Sequence, residues 1–139
     1  PANQVLGSGT TLDTARLKYL ISEKIGVSPK DIHAYVMGEH GDSEFVPWSN
    51  ANIALKSINY YLTDAEKIQI EEDVRNSAYE IINRKGATYY GIGMCLVRIT
   101  NAILGDENVI LSVSAYDKEN KIYHSNKSEL NQIDIKAIR

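Results

Sequence analysis

Apolar residues recur at helical spacing after residue 11: Leu17, Leu20, Ile21 and Ile25 share one side of a helix spanning 12–25. The small-residue turn Gly7-Ser8-Gly9-Thr10-Thr11 leads into it, with Ser8, Thr10 or Thr11 as side-chain cap, and Gly26 with Ser28-Pro29 ends it. Ile32, Ala34 and Val36 then alternate with His33, Tyr35 and Met37, which predicts a strand over 32–37. A loop bracketed by Gly38 and Gly41 follows, and Phe45 to Trp48 reads as a short extended piece.

Thr63-Asp64-Ala65-Glu66 is a capping box that opens a long helix, with Val74, Ala78, Ile81 and Ile82 at helical spacing and Gly86 interrupting the run. A second stripe continues through Ile92, Cys95, Leu96, Ile99 and Ile103 and closes at Gly105. Val109, Leu111, Val113 and Ala115 alternate with Ile110, Ser112, Ser114 and Tyr116, the signature of a half-buried strand. The order of helix, strand, long helices and strand predicts an α+β fold rather than a regular βαβ series. Residues 117–139 are polar and mixed in charge, and their few apolar positions fit a helix or a strand equally well. Two segments are therefore expected, a folded domain over 1–116 and a divergent tail over 117–139.

Composition narrows the function classes. A chain of 139 residues is one domain by length, and 43% hydrophobic with 24% charged residues describes an ordinary globular protein. A net charge of -3 gives no general pull toward nucleic acid or anionic membranes. No apolar run reaches the roughly 18–20 residues that span a bilayer. The N-terminus has neither the basic nor the apolar region of a signal peptide, and the lone Cys95 fits a reducing compartment, so a cytoplasmic location is expected. The chain opens on a loop-like stretch without Met, as though entered mid-protein.

Three places hold candidate chemistry. Gly7-Ser8-Gly9 before a helix suggests a dinucleotide fingerprint, but Leu12 stands where a third small residue belongs, which favours a plain turn. On a wheel stepping about 100° per residue, Asp13 falls between Leu17 and Leu20, on the apolar stripe, with Arg16 at its edge. A charge there needs a partner: an Asp13–Arg16 bridge at i,i+3, or groups outside the helix. In Gly38-Glu39-His40-Gly41-Asp42-Ser43, a His between two glycines sits on backbone that can approach a ligand closely. Its imidazole is either a solvated surface group or a proton carrier near neutral pH. No other His or Cys stands at metal-ligand spacing, so no metal is expected.

Leu12-Asp13-Thr14-Ala15-Arg16-Leu17, Gly38-Glu39-His40-Gly41-Asp42-Ser43-Glu44 and Lys85-Gly86-Ala87-Thr88-Tyr89-Tyr90 together resemble three signature segments of the L-lactate dehydrogenases, in order and in spacing. The resemblance runs from about residue 1 to 116. It implies the C-terminal, substrate-binding domain of that family, long helices on a mostly antiparallel sheet, without the Rossmann half that binds NAD. By that likeness His40 is the acid/base, Asp13 orients and stabilises its imidazolium, and Arg16 grips the substrate carboxylate with a two-pronged contact that Lys would not make. Thr88 matches a substrate-pocket Thr, and Ile92 a residue packed on the nicotinamide ring.

The implied reaction is pyruvate and NADH to L-lactate and NAD, in a homotetramer. In the bacterial branch an activator site for fructose 1,6-bisphosphate uses a basic residue two positions after the catalytic Arg and a His seven before the catalytic one. Here these are Lys18 and His33, with Lys in place of the usual Arg. The loop bearing a second catalytic Arg, and the Ile-Gly-Val-Pro-like motif of the family's later strand region, find no match in this chain. Malate and other 2-hydroxy-acid dehydrogenases are the nearest alternatives; Glu39 and Ala87-Thr88-Tyr89-Tyr90 look more like lactate enzymes. A second expectation is a non-catalytic remnant that folds but turns nothing over.

Overall fold

A computed structural model describes residues 5–117 and 119–124. Its elements are α1 (Thr11–Ile25), β1 (Ile32–His33), β2 (Asn52–Ile53), β3 (Lys56–Ser57), α2 (Asp64–Lys85), α3 (Tyr90–Leu104), β4 (Ala115–Asp117) and β5 (Ile122–His124). Strands β1, β2 and β3 form one antiparallel sheet, and β4 and β5 a separate antiparallel hairpin. This is the expected α+β architecture of helices packed on small antiparallel sheets. The tail expectation falls mostly on 125–139, outside the described residues.

The core forms where α1, α2 and the first sheet meet. Leu17 and Ile21 of α1 interlock with Ile32, Ala34 and Val36, with Ile53 and Ile58, and with Ile70 and Val74 of α2. Lys24 of α1 also reaches Glu66 of α2 at 3.0 Å. The α2 start carries the expected capping box, with the Thr63 side chain accepting from the Glu66 amide and the Glu66 carboxylate accepting from the Thr63 amide. Gly26 and Gly86 close α1 and α2 in the left-handed conformation.

Four expectations need correction. The alternation over 32–37 survives in burial, since Ile32, Ala34 and Val36 are buried, but only Ile32 and His33 enter a ladder. Beyond them the segment pairs through one bridge, Met37 with Phe45, because Val36 N–H is taken by a threonine side chain. The strand expected over 109–116 is shorter and later, and residues 111–117 are all half-buried. No sheet layer among the described residues covers one face of that segment and so sorts its side chains. The cap of α1 also differs: Thr10 takes the N-cap position, yet its side chain makes no cap and donates instead to the Val36 carbonyl at 2.6 Å. Finally, the apolar stripes of the long helices are only half used. Ile81 and Ile82 on α2, with Leu96 and Ile103 on α3, are exposed, while Cys95, Ile99 and Ala102 are buried.

Candidate active site

The first turn of α1 is fastened by its threonines. Thr14 Oγ1 accepts the Val36 amide at 3.0 Å and meets Ser112 Oγ at 2.9 Å, and Thr11 Oγ1 donates to the Ser112 carbonyl at 2.9 Å. Together with Thr10 on Val36, these bonds clamp the helix start between the 36 segment and the 112 segment. The loop after Val36 is thereby held against the face of α1 that carries Asp13.

Asp13 is 1% exposed, and both its oxygens are occupied. Oδ1 accepts from Arg16 Nη1 at 3.0 Å, and Oδ2 lies 2.6 Å from His40 Nδ1. The i,i+3 bridge thus holds, and Asp13 also has a partner outside the helix, while Arg16 shows no hydrogen bond outside it among the described residues. His40 itself is 59% exposed, so with Nδ1 on Asp13 the opposite ring nitrogen faces open space. Arg16 is mostly covered, with one prong on Asp13 and no hydrogen bond from Nη2 among the described residues. An imidazole backed by a buried carboxylate can pass a proton outward, and the guanidinium one turn along can hold an anion beside it.

The sequence reading gave Glu44 no role. It is 5% exposed, and its carboxyl sits 3.6 Å from His40 Nδ1. Burial raises its pKa above the ordinary carboxylate value, and the Asp13 carboxylate raises it further. Asp13, His40 and Glu44 therefore form one cluster, with ligand-type atoms all within 4.8 Å. Its members are already bonded to one another, to Arg16 and to the Gly41 amide. No periodicity could have revealed Glu44; its spacing of four residues from His40 across a glycine turn is the only sequence signal. Behind it, Glu71 on α2 accepts from Trp48 and from Arg75, and Arg75 also donates to the Glu44 carbonyl.

The remaining candidates lie apart from that hydrogen-bonded cluster. Thr88 precedes α3 and Ile92 lies in its first turn, both half-buried. Gly91 between them packs on Leu12 of α1, where an added Cβ would stand 3.2 Å from a Leu12 methyl. The Lys18 ammonium stands over the Tyr35 ring, 5.1 Å from its centroid, and burial pushes its pKa below the usual lysine value. Exposed His33 lies on β1, and no hydrogen bond among the described residues joins it to Lys18. Lys18 lines a cavity of about 410 Å³ between α1, α3 and the 110–112 segment.

The cofactor can be tested against these residues. Half-buried Ile92 offers apolar surface of the kind a nicotinamide ring needs, and His40 offers an open nitrogen. A cradle for dinucleotide phosphates is not provided by Gly7-Ser8-Gly9. A Cβ at Gly9 would lie 2.8–2.9 Å from the Ser112 carbonyl, Val113 and the Ser114 amide, so backbone already fills the approach. Among the described residues, the Gly7-Ser8-Gly9 turn does not fit the phosphates of a dinucleotide.

Residues 10–136 match the family described as lactate/malate dehydrogenase, alpha/beta C-terminal domain. The chain is similar to the L-lactate dehydrogenase of Streptococcus mutans, 53% identical over 122 residues, covering 84% of this chain and 37% of that protein. It is 52% identical to the L-lactate dehydrogenase of Streptococcus gordonii over 124 residues, covering 85% of this chain and 38% of the relative. Among solved structures it resembles a lactate dehydrogenase from a Medee basin deep-sea metagenome library, with TM-score 0.84 and 46% identity over 100% of this chain and 49% of that one. It also resembles the minor L-lactate dehydrogenase of Enterococcus mundtii, with TM-score 0.84 and 43% identity over 91% and 43% of the two chains. The chain thus spans little more than a third of the curated relatives' length. It belongs to the lactate/malate dehydrogenase family and carries that family's alpha/beta C-terminal domain.

Proposed function

We propose that this chain is the substrate-binding, proton-transferring part of an NAD-dependent L-lactate dehydrogenase. The observation that carries the reading is the Asp13–His40 contact of 2.6 Å with Arg16 on the other Asp13 oxygen. The open His40 nitrogen gives its proton to the keto oxygen of pyruvate and takes it back from the lactate hydroxyl. Asp13 holds the ring with Nδ1–H inward and stabilises the imidazolium. Arg16 binds the substrate carboxylate through its planar fork. Thr88 lines the pocket, and Ile92 packs against the nicotinamide. NAD, held by a dinucleotide-binding domain outside this chain, supplies or receives the hydride when bound.

Lactate is favoured over malate by the names of the streptococcal relatives, and by the likeness of Glu39 and Ala87-Thr88-Tyr89-Tyr90 to lactate enzymes. The whole enzyme acts in the cytoplasm as a homo-oligomer, a tetramer by family habit. Lys18 and His33 bind the anionic activator fructose 1,6-bisphosphate, a reading that rests on the family likeness of their positions.

The 139-residue chain alone turns nothing over. Every ladder among its described residues is antiparallel, so they hold no parallel βαβ unit to seat the dinucleotide. The test is lactate-dependent NADH formation by purified chain, alone and mixed with a separately made dinucleotide-binding half of a related L-lactate dehydrogenase. Activity is expected only in the mixture, and to vanish on His40→Gln. Turnover by the chain alone, or a mixture indifferent to His40→Gln, refutes the assignment.

A further inference from the structure

Two buried carboxyls approach the same imidazole nitrogen, Asp13 at 2.6 Å and Glu44 at 3.6 Å. Both are almost fully covered, at 1% and 5% exposure. Two buried carboxylates so close together do not both ionise readily; one tends to retain a proton. Their partners decide which. Asp13 has the Arg16 guanidinium at 3.0 Å and the close His40 contact. The Glu44 carboxyl has no cation so close: it has the Gly41 amide at 3.4 Å, the longer His40 approach, and the Asp13 carboxyl beside it.

The other charges around it do not change this balance. From α1, Arg16 is committed to Asp13. From α2, Arg75 reaches the Glu44 carbonyl and not its carboxyl, and its charge is met by Glu71 at 3.2 Å. The 41–44 turn is also closed from both ends: Glu44 N–H donates to the Gly41 carbonyl at 3.1 Å, and Gly41 N–H to the Glu44 carboxyl. Gly41 has φ of +121, so this turn depends on its neighbours to hold one geometry.

We propose that Glu44 is a positioning residue for His40: its carboxyl pins the 41–44 turn through the Gly41 amide, packs beside Asp13, and leaves Asp13 as the close partner of the imidazole. A neutral Glu44 lets Asp13 fix the tautomer with Nδ1–H inward, while a second anion would compete for that proton. The proposal rests on the functional reading above for its purpose, but its test needs neither cofactor nor turnover.

The test is NMR of the full 139-residue chain, labelled with ¹³C in glutamate carboxyls and ¹⁵N in histidine rings. Glu44 is expected to titrate above the ordinary carboxylate range, and Asp13→Asn to lower its midpoint. Glu44→Gln, a neutral isostere, keeps the ¹⁵N signature of a single His40 tautomer. Glu44→Ala leaves core amide signals in place and gives a mixture of tautomers. A Glu44 that titrates in or below the ordinary range overturns the proposal, as does Glu44→Ala with unchanged ring nitrogens. Should the alanine variant unfold, the carboxyl titration and Glu44→Gln decide by themselves.

Discussion

Asp13 Oδ2 and His40 Nδ1 lie 2.6 Å apart although 27 residues separate them, and Asp13 is buried at the start of the helix that forms the core. The same helix supplies Leu17 and Ile21 to the core one and two turns later. The Asp13–His40 contact and the core therefore share one element. Moving α1 would open the core and part the two groups together.

Asp13→Asn keeps the shape and removes the charge that serves both Arg16 and His40. The expected loss of stability is about 1.5–3 kcal/mol, the range for a hydrogen bond to a charged group. Urea titration of the two chains checks it, and equal midpoints would show that the buried pair carries no net energy.

Arg16→Lys retains the charge but not the fork. In the complemented enzyme, KM for pyruvate should rise on the order of tenfold or more. An unchanged KM would place the carboxylate somewhere other than Arg16.

The Glu66 carboxylate is held at about 2 by the Thr63 amide first, then by Lys24 and the Thr63 hydroxyl. A carboxyl with its folded pKa depressed stabilises the fold above its ordinary value of 4.5, and that contribution fades as pH falls toward about 2. Glu66→Gln should therefore be less stable than the parent at pH 6, with the difference closing in acid. Thr63→Ala should cost about 1 kcal/mol. A pH-independent gap between parent and Glu66→Gln in denaturant titrations would contradict this origin.

Gly9 and Gly26 separate two kinds of glycine requirement. Gly26→Ala meets open space and faces only the left-handed backbone, a cost of about 1–2 kcal/mol. Gly9→Ala adds collision with the backbone of 112–114, so it should destabilise more than Gly26→Ala and loosen the α1 start. Thermal melts of both variants decide, and equal losses would mean that the 112 segment yields without cost.

Much of this protein was legible in its residue order. Helical periodicity and capping chemistry are local, so the stripe of α1, the Thr63–Glu66 box and the closing glycines could be read directly. The conflict of Asp13 on an apolar stripe also announced a buried partner, because an isolated buried charge is too costly to leave. Strand lengths were not legible, since a ladder exists only where a second strand arrives. Alternation over 32–37 and 109–116 therefore overstated both strands.

Contacts between distant segments set the remaining details. Thr10 looked like a cap and became a tie to Val36, because the 36 segment arrives where its hydroxyl can reach. Glu44 looked like one acidic residue among several in a loop. Only the packing of that loop on α1 set it beside Asp13 and His40, and burial there gave its carboxyl a character that no spacing could encode. Local preference is written along the chain, whereas the neighbours that control a charge are assembled by the fold.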